Sequence, residues 1–571
     1  MNDIFERFTY NPVQLDIPRS KINMRHSHKT TYDTGRLIPI YWREVLPGST
    51  CKMNMSEVTR MQTPIFPIMD NAFIDTYFFF VPNRILWNHW EEFMGENKSG
   101  FWEQQVEYTV PQIEFCHDMT AVENTGSYWK GDYYYPYGPQ CGSLADYLGV
   151  PIVDANKSTP VTKGEFEVNA LPFRAYYQIF NDWFRDENLM YPKEYDKGDA
   201  TITAYYLSSD REDAFPVEKP FMVAKFHDRF TSALPQPQKH DDVLLPLGQT
   251  APIIGSAGTY TSAQYDSDLI DKPIGFVGLG STTGRPSRLE DASDSSTELT
   301  GDKRIALVAD LSSATGSTIN ALRQAFAVQR YYEKLARGGS RYIETLKTMF
   351  GVTSPDARLQ RAEFLGGFRK AVNIDQVVQT SSTNETTPQG NVAAYSLTTA
   401  NEDIFTKSFV EHGILMGVQV IRPEHSYQDG LNRFFIRKTE FDYYNPTFSN
   451  IGDQAILNKE IFLAGDVVGS KDEEAFGYQE AWYEYRSMNN RVSGEFRSDY
   501  FQTLDAWHFA DNYSGLPSLS YIWLEETPSS INRNIAVSDR LASQWMCDIF
   551  FNEVWTQPMP VYSIPGLIDH Y

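Results

Sequence analysis

His26 and His28 stand two residues apart, a spacing that puts both imidazoles on one face of an extended strand, as a pair of metal ligands would be. Asp33 is the only further candidate donor nearby, and ordinary polar histidines fit so basic a stretch better. Gly275, Gly278, Gly280 and Gly284 space a segment, GFVGLGSTTG, whose backbone could cradle phosphate. No strand–helix unit is expected around it, so a flexible loop is the better reading. Adjacent carboxylates occur at Asp472-Glu473-Glu474 and Glu525-Glu526. On a strand such neighbours point to opposite faces, so they do not make the facing acid/base pair of glycoside hydrolysis. They read as solvated surface or as ligands for a divalent cation. The chain has no G-x-S-x-G, no HExxH, no Walker A loop and no dinucleotide fingerprint. No catalytic set, metal centre or cofactor site is expected.

The other chemistry available is phosphate binding. Arg19, Lys21, Arg25 and Lys29 fall within eleven residues that contain no acid. From Ala321 to Lys370 ten basic residues face four acidic ones, Glu333, Glu344, Asp356 and Glu363. For this second region, a phosphate-facing patch and a set of salt-bridged, solvated helices are both open. The chain as a whole carries a formal charge of −24, which by itself argues against a nucleic-acid binder, because phosphate contact needs cations. Segregated charge removes the objection: acidic on one side, basic patches on the other.

The elements that must position these residues are mostly strands. Aromatics make up 14% of the chain, with 34 Tyr and 36 Phe, which favours strands and broad buried interfaces over a helical bundle. Residues 1–30 are polar, punctuated by Pro12 and Pro18, and read as an arm that orders against a partner. Strands are expected at Leu37–Val45, Cys51–Arg60, Phe73–Val81, Phe409–Ile421, Asn432–Tyr444 and Trp545–Trp555. Phe73–Val81 is apolar on both faces, so a cover on both sides is expected, as in a β-protein that packs against other subunits. Asn83 is expected to cap a short helix that Gly95 ends. Helices are also expected at Phe173–Trp183, from Ser317 or Thr318 to Gly338, and from Ser340 to Gly351. The buried stripes of the last two would be Ala321, Ala325, Val328, Tyr332 and Leu335, and Tyr342, Leu346 and Met349. Phe221–Phe230 fits helix and strand equally. Residues 236–304 are rich in Gly, Ser, Thr and Asp and lack periodicity, which marks a surface insertion or a plain linker. Early and late strands so far apart must pair at long range, as in Greek-key barrels.

Cys51, Cys116, Cys141 and Cys547 form no CxxC pair, so neither a disulfide framework nor a zinc site is expected. The N-terminal residues lack the apolar run of a leader, and no segment reaches the ~20 apolar residues needed to span a bilayer. A soluble chain is expected.

Four stretches carry a resemblance that runs from end to end: DNAFIDTYFFFVPNRI (Asp70–Ile85), RHSHKTTYDTGRLIPIYWREVLPG (Arg25–Gly48), the segment Arg330–Gly367 and the C-terminal PMPVYSIPGLIDHY (Pro558–Tyr571). The chain resembles the major capsid proteins of gokushovirus-type microviruses, small phages with circular single-stranded DNA. The resemblance implies a mainly β fold, a single eight-stranded antiparallel jelly roll of viral coat type with large loop insertions containing helices. It implies sixty copies in a T=1 icosahedral shell around the DNA, and a virion protein assembled in the host cytoplasm. Implied partners are the chain itself, the packaged ssDNA, a minor pilot protein, an internal scaffolding protein, a small basic DNA-binding protein and a host surface receptor, with no membrane insertion. The corresponding divisions are an interior-facing arm at 1–30, the first part of the jelly roll at 31–235, a polar insertion forming a threefold protrusion at 236–304, and a helical insertion with the remaining strands and tail at 305–571. Arg19, Lys21, Arg25 and Lys29 would then face the DNA. The alternative is a carbohydrate-binding or carbohydrate-active β-sandwich, which fits the aromatic surplus and acidity but not the basic segment or the polar insertion.

Overall fold

The computed structural model describes residues 18–98, 107–115, 139, 141–152, 166–203, 219–241, 243, 253–256, 274–277, 288–291, 294–298, 306–309, 319–381, 383, 388–465 and 469–562. The arm before Pro18, much of the polar stretch 236–304 and residues 563–571 fall outside these. By contacts the chain forms two compact units, one of Met1–Pro237 with Gly339–Tyr571 and one of Gln238–Gly338.

The first unit is a β-sandwich. Its strands are β1 (Ser20–Tyr32), β2 (Ile38–Val45), β3 (Thr50–Met61), β4 (Ala72–Pro82), β5 (Glu363–Ala371), β6 (Thr398–Ser408), β7 (Gly413–Pro423) and β8 (Trp545–Gln557). One antiparallel sheet has the order β1-β8-β3-β6 and the other β5-β4-β7-β2. The first and last strands pair along their full length, from Ser20 opposite Gln557 to Tyr32 opposite Trp545. Strict alternation explains the burial. In β8, Trp545, Cys547, Ile549, Phe551 and Trp555 point inward, and in β3 Cys51, Met53, Met55 and Met61 join them. Ile74, Phe78 and Phe80 of β4 and Leu415 and Ile421 of β7 meet this row from the other sheet. Gly417 of β7 leaves room for the Phe78 ring, which a Cβ there would strike.

One polar cluster is sealed into this core. Gln419 accepts from the Tyr32 hydroxyl at 2.6 Å and donates to Glu57 at 2.6 Å and to Thr76 at 2.9 Å. Burial pushes the Glu57 carboxyl up to about 7, partly offset by the Gln419 hydrogen bond.

The second sheet is covered on both sides, as the pattern of β4 requires, but by the chain's own residues rather than by a neighbouring subunit. Phe79 and Val81 of β4, with Ile414, Met416, Val418 and Val420 of β7, face a second core built on α1 (Leu171–Ile179). Pro172 sets the first turn of α1, and Asn169 accepts from the Leu171 N–H. The Tyr176 hydroxyl donates to the Leu37 carbonyl at 2.8 Å, and buried Arg174 donates to the carbonyls of Leu86 and Gly198. On the same side the buried Asp75 accepts from Arg369 at 2.6 Å and Arg422 at 2.6 Å, with Phe226 stacked under both guanidiniums. Both carboxylate oxygens are thus satisfied by cations from the two flanking strands.

Several expectations are corrected. The segment after Pro18 is not an arm but edge strand β1. β5 and β6 carry no clear apolar signature and were not expected. Pro82, not Asn83, is the N-cap of Asn83–Leu86, and a separate turn, Trp90–Phe93, follows. Phe221–Phe230 contains only isolated bridges and turns. Asn432–Tyr444 is not a strand: it holds the single 3₁₀ turns Arg433–Phe435 and Glu440–Asp442, each with its own cap. Helix α3 (Tyr342–Phe350) ends at left-handed Gly351, but its expected stripe is not buried, and Tyr342 is exposed.

In the second unit, Ile253–Ser256 pairs with Ala306–Ala309, and Ile274–Val277, Arg288–Asp291 and Asp294–Glu298 form a three-stranded sheet. Helix α2 (Ile319–Gly338) completes it, with its expected stripe only half-buried. Gly275 thus lies in a strand rather than in a phosphate loop, and 278–284 fall outside the described residues. Among the described residues no helix is long and apolar enough to cross a membrane.

Candidate nucleic-acid interface

The two sheets differ in what covers their outer faces. The outer face of β1-β8-β3-β6 has no cover among the described residues of its unit. Alternation fixes what it displays. β1 contributes Lys21, Asn23, Arg25, Ser27, Lys29 and Thr31, all exposed. β8 contributes Met546, Asp548, Phe550, Asn552, Val554 and Thr556. From β3 come Lys52, Asn54, Ser56, Val58 and Arg60, and from edge strand β6 Thr399, Asn401, Asp403, Thr406 and Ser408.

The register orders these into rows. Arg25 lies beside Asn552, which lies beside Asn54, and Lys21 lies beside Thr556, which lies beside Thr50. Phe550 sits between Ser27 and Ser56 and is 42% exposed. A large aromatic flanked by serines in mid-sheet has both neighbours too small to cover it. Amides and hydroxyls tie the β3–β6 rows: Asn54 donates to Asn401 and Asp403, Ser56 donates to Asn401 at 3.1 Å, and Thr50 meets Ser408 at 2.8 Å.

Five cations stand on this face against two carboxylates. Lys29 lies 3.8 Å from Asp548 and Lys52 3.8 Å from Asp403. These pairs are solvent-exposed, weak and open to exchange. Lys21, Arg25 and Arg60 have no ion-pair partner among the described residues. A cationic surface with hydroxyl and amide donors and one presented ring suits a polyanion with accessible bases: phosphates for the cations, a base face for Phe550.

Of the residues singled out by sequence, Lys21, Arg25 and Lys29 share this face at four-residue spacing, about 13 Å apart along the strand. Arg19 precedes β1 and packs its guanidinium over Gly48, at the sheet's end. Sequence reading missed Lys52, Arg60 and Phe550. The alternation of CKMNMSEVTRM, Met inside and polar outside, carried the signal for the first two.

The other candidates resolve differently. His26 and His28 share a face as their spacing requires, but turn it inward. A His26 nitrogen lies 3.2 Å from Glu553, its ring stacks on Phe551, and His28 bonds the Ile40 carbonyl. Among the carboxylates, Asp472 accepts backbone N–H groups, Glu473 pairs with Lys459, and Glu526 is buried against His425 at 2.6 Å. Burial alone would lower the His425 pKa, but Glu526 and Asp511 outweigh it and hold the imidazole up to about 10, fully charged. These contacts knit the fold. Among the described residues no group of His, Cys, Asp and Glu is placed to hold a metal ion.

The comparisons agree along the whole chain. The profile of the family described as capsid protein (F protein) matches residues 12–567. Capsid protein VP1 of Spiroplasma virus 4 is 39% identical over 567 residues, covering 96% of both chains. Capsid protein VP1 of Bdellovibrio phage phiMH2K is 37% identical, covering 97% of this chain and 96% of the relative. Capsid protein VP1 of Chlamydia phage 1 is 35% identical, covering 98% and 97%.

Proposed function

Since the chain belongs to the F-protein family of phage capsid proteins, and is a structural coat subunit of the virion, we propose that it folds as an eight-stranded jelly roll and closes with copies of itself into a sixty-subunit T=1 shell around circular ssDNA. The jelly-roll reading is supported by the two strand orders, in which first and last strands are neighbours and successive strands alternate between sheets except β4 and β5, which pair within one sheet. Closure by symmetry lets many modest interfaces make one stable particle.

The inner surface of the shell is the outer face of β1-β8-β3-β6. The observation that carries this reading is a cation-rich, uncovered sheet face on a chain of net charge −24. Lys21, Arg25 and Lys29, with Arg19 at the sheet's end, contact phosphates without sequence preference, and Lys52, Arg60 and Phe550 extend the contact. A subunit this acidic does not neutralise a genome alone, so a small basic DNA-binding protein belongs to the particle, with a minor pilot protein and an internal scaffolding protein in its assembly in the host cytoplasm. The polar stretch 236–304 forms the threefold protrusion that meets the host surface receptor.

Single-particle electron microscopy of the chain co-produced with its neighbouring gene products tests this. Uniform small icosahedral particles with threefold projections are expected. A soluble monomer or dimer under those conditions would refute it.

A further inference from the structure

A second cationic surface lies on helix α2. Its inner side is anchored within its own unit. The His240 ring lies 4.9 Å from that of Tyr332, the Tyr332 carbonyl accepts from the Lys239 N–H, and Gln329 donates to Gln238. Ala325, Val328, Tyr332 and Leu335 share that side at three- and four-residue spacing. Arg323, Arg330 and Lys334 stand on the opposite side, and all three are exposed. They form a row about 16 Å long down the helix.

None of the three has an ion-pair partner among the described residues. The one acid of the helix, Glu333, accepts instead from Gln329 at 3.2 Å. Acids are not scarce in this chain, which has 74 of them to 50 lysines and arginines. Arg330 and Lys334, four residues apart, repel each other, and the helix itself gains nothing from that. Rings interleave the row. Phe326, between Arg323 and Arg330, is 64% exposed, and Tyr331, beside Lys334, is 49% exposed. A line of unneutralised cations with exposed rings suits a linear polyanion whose units have flat faces, not a single small anion.

We infer that this face of α2 binds an anionic polysaccharide of the host surface, with its cations on phosphate or carboxylate groups and its rings on sugar faces. The inference rests on the reading that stretch 236–304 meets the host, and it adds the chemistry of what is met. Helix α2 belongs to the compact unit Gln238–Gly338, which holds nearly all of that stretch. Electrostatics favours this occupant. Subunits at −24 are repelled by a polyanionic cell surface. Within a Debye length, about 8 Å at physiological salt, the nearest charges decide the interaction. Contact therefore needs a local row of cations on the unit that reaches the cell first. Packaged ssDNA shares this chemistry, but the cations assigned to it lie in the other unit.

The test is a triple variant, Arg323→Gln, Arg330→Gln and Lys334→Gln, in whole particles made with the neighbouring gene products. The three side chains are in water, so thermal unfolding, particle yield and DNA content should match the wild type. Adsorption to host cells should fall about tenfold or more, because many copies act together on one surface. Dextran sulfate should block wild-type adsorption at low salt and neutral dextran should not, and Arg330→Lys alone should adsorb normally. Wild-type adsorption by the triple variant would overturn the inference. So would folded variant subunits that give empty particles, which would assign the row to ssDNA, or no particles, which would assign it to a subunit contact. Electron microscopy of the same particles separates this inference from the reading beneath it. Residues 236–304 buried inside the shell would sink the receptor reading itself. Projecting residues with normal adsorption of the variant would sink only the inference.

Discussion

The two sheets of the sandwich share one core and differ in their outer faces. Outside β5-β4-β7-β2 lie α1, Phe79, Met416, Val418 and the clasped Asp75, and β4 and β7 are buried on both sides. Outside β1-β8-β3-β6 lie serines, threonines, asparagines, five cations and Phe550, open to water. The chain spends an inserted helical layer on covering one sheet and, among the described residues, nothing comparable on the other. An antiparallel sheet tolerates one wet face, so the bare sheet needs no cover for stability. It is free to be chosen for what it binds, whereas the covered sheet is constrained by what packs on it.

That contrast makes the faces separable by mutation. The largest effects should come from the covered side. Phe79→Ala should cost the isolated subunit about 3–5 kcal/mol in chemical unfolding, and Asp75→Ala a similar amount by leaving Arg422 buried without its partner. On the bare side, replacing Lys21, Arg25, Lys29, Lys52 and Arg60 together by Ala should move unfolding by under about 1 kcal/mol. The same variant should lower the salt dependence of ssDNA binding by a log–log slope of about 3.5, roughly 0.7 for each cation, and give empty particles. An unchanged slope would break the comparison.

Between the faces sits Glu57. Its folded pKa of about 7 lies above the value of 4.5 for an unperturbed carboxyl, so the folded state holds the proton more tightly. Its contribution is fully present below about pH 4.5 and is lost as pH rises through 7. Glu57→Gln should remove a decline of up to about 3 kcal/mol between those limits, seen in unfolding curves at pH 4.5 and 7.5. His425 works in a higher window: its contribution, complete below 6.5, is lost as pH approaches about 10. The smallest effect is Phe550→Ala. It should leave stability within about 0.5 kcal/mol and weaken ssDNA binding by about 1 kcal/mol, the lower end for a stacked base.

Much of this was legible in the chain. Alternation placed β3, β4 and β8 to within two residues, and the double apolar face of β4 foretold its cover. What covers it was not legible, because α1 lies some ninety residues away and only the fold brings Tyr176 to Leu37. β1 was misread as an arm because its inward positions, Ile22, Met24, His26, His28 and Thr30, are polar or only half-buried, and its partner lies at the opposite end of the sequence. β6 hid behind the polar run TTANEDIFTK at a sheet edge. The error at Asn432–Tyr444 had another source. Its apolar residues gather to be displayed around Arg437 rather than buried, so apolar content mimicked a strand while Asn432, Thr439 and Asn445 were marking turns. Three of the five cations of the basic face were found from local charge, and the other two needed the register of β1, β8 and β3.

The most direct test of the central claim, that the bare sheet face meets the genome, is hydroxyl-radical footprinting of genome-filled and empty particles of the same shell. Met546 and Phe550 report from that face. Met546 and Phe550 should be oxidised several-fold more slowly in filled than in empty particles. Equal oxidation of Met546 and Phe550 in both would contradict the account.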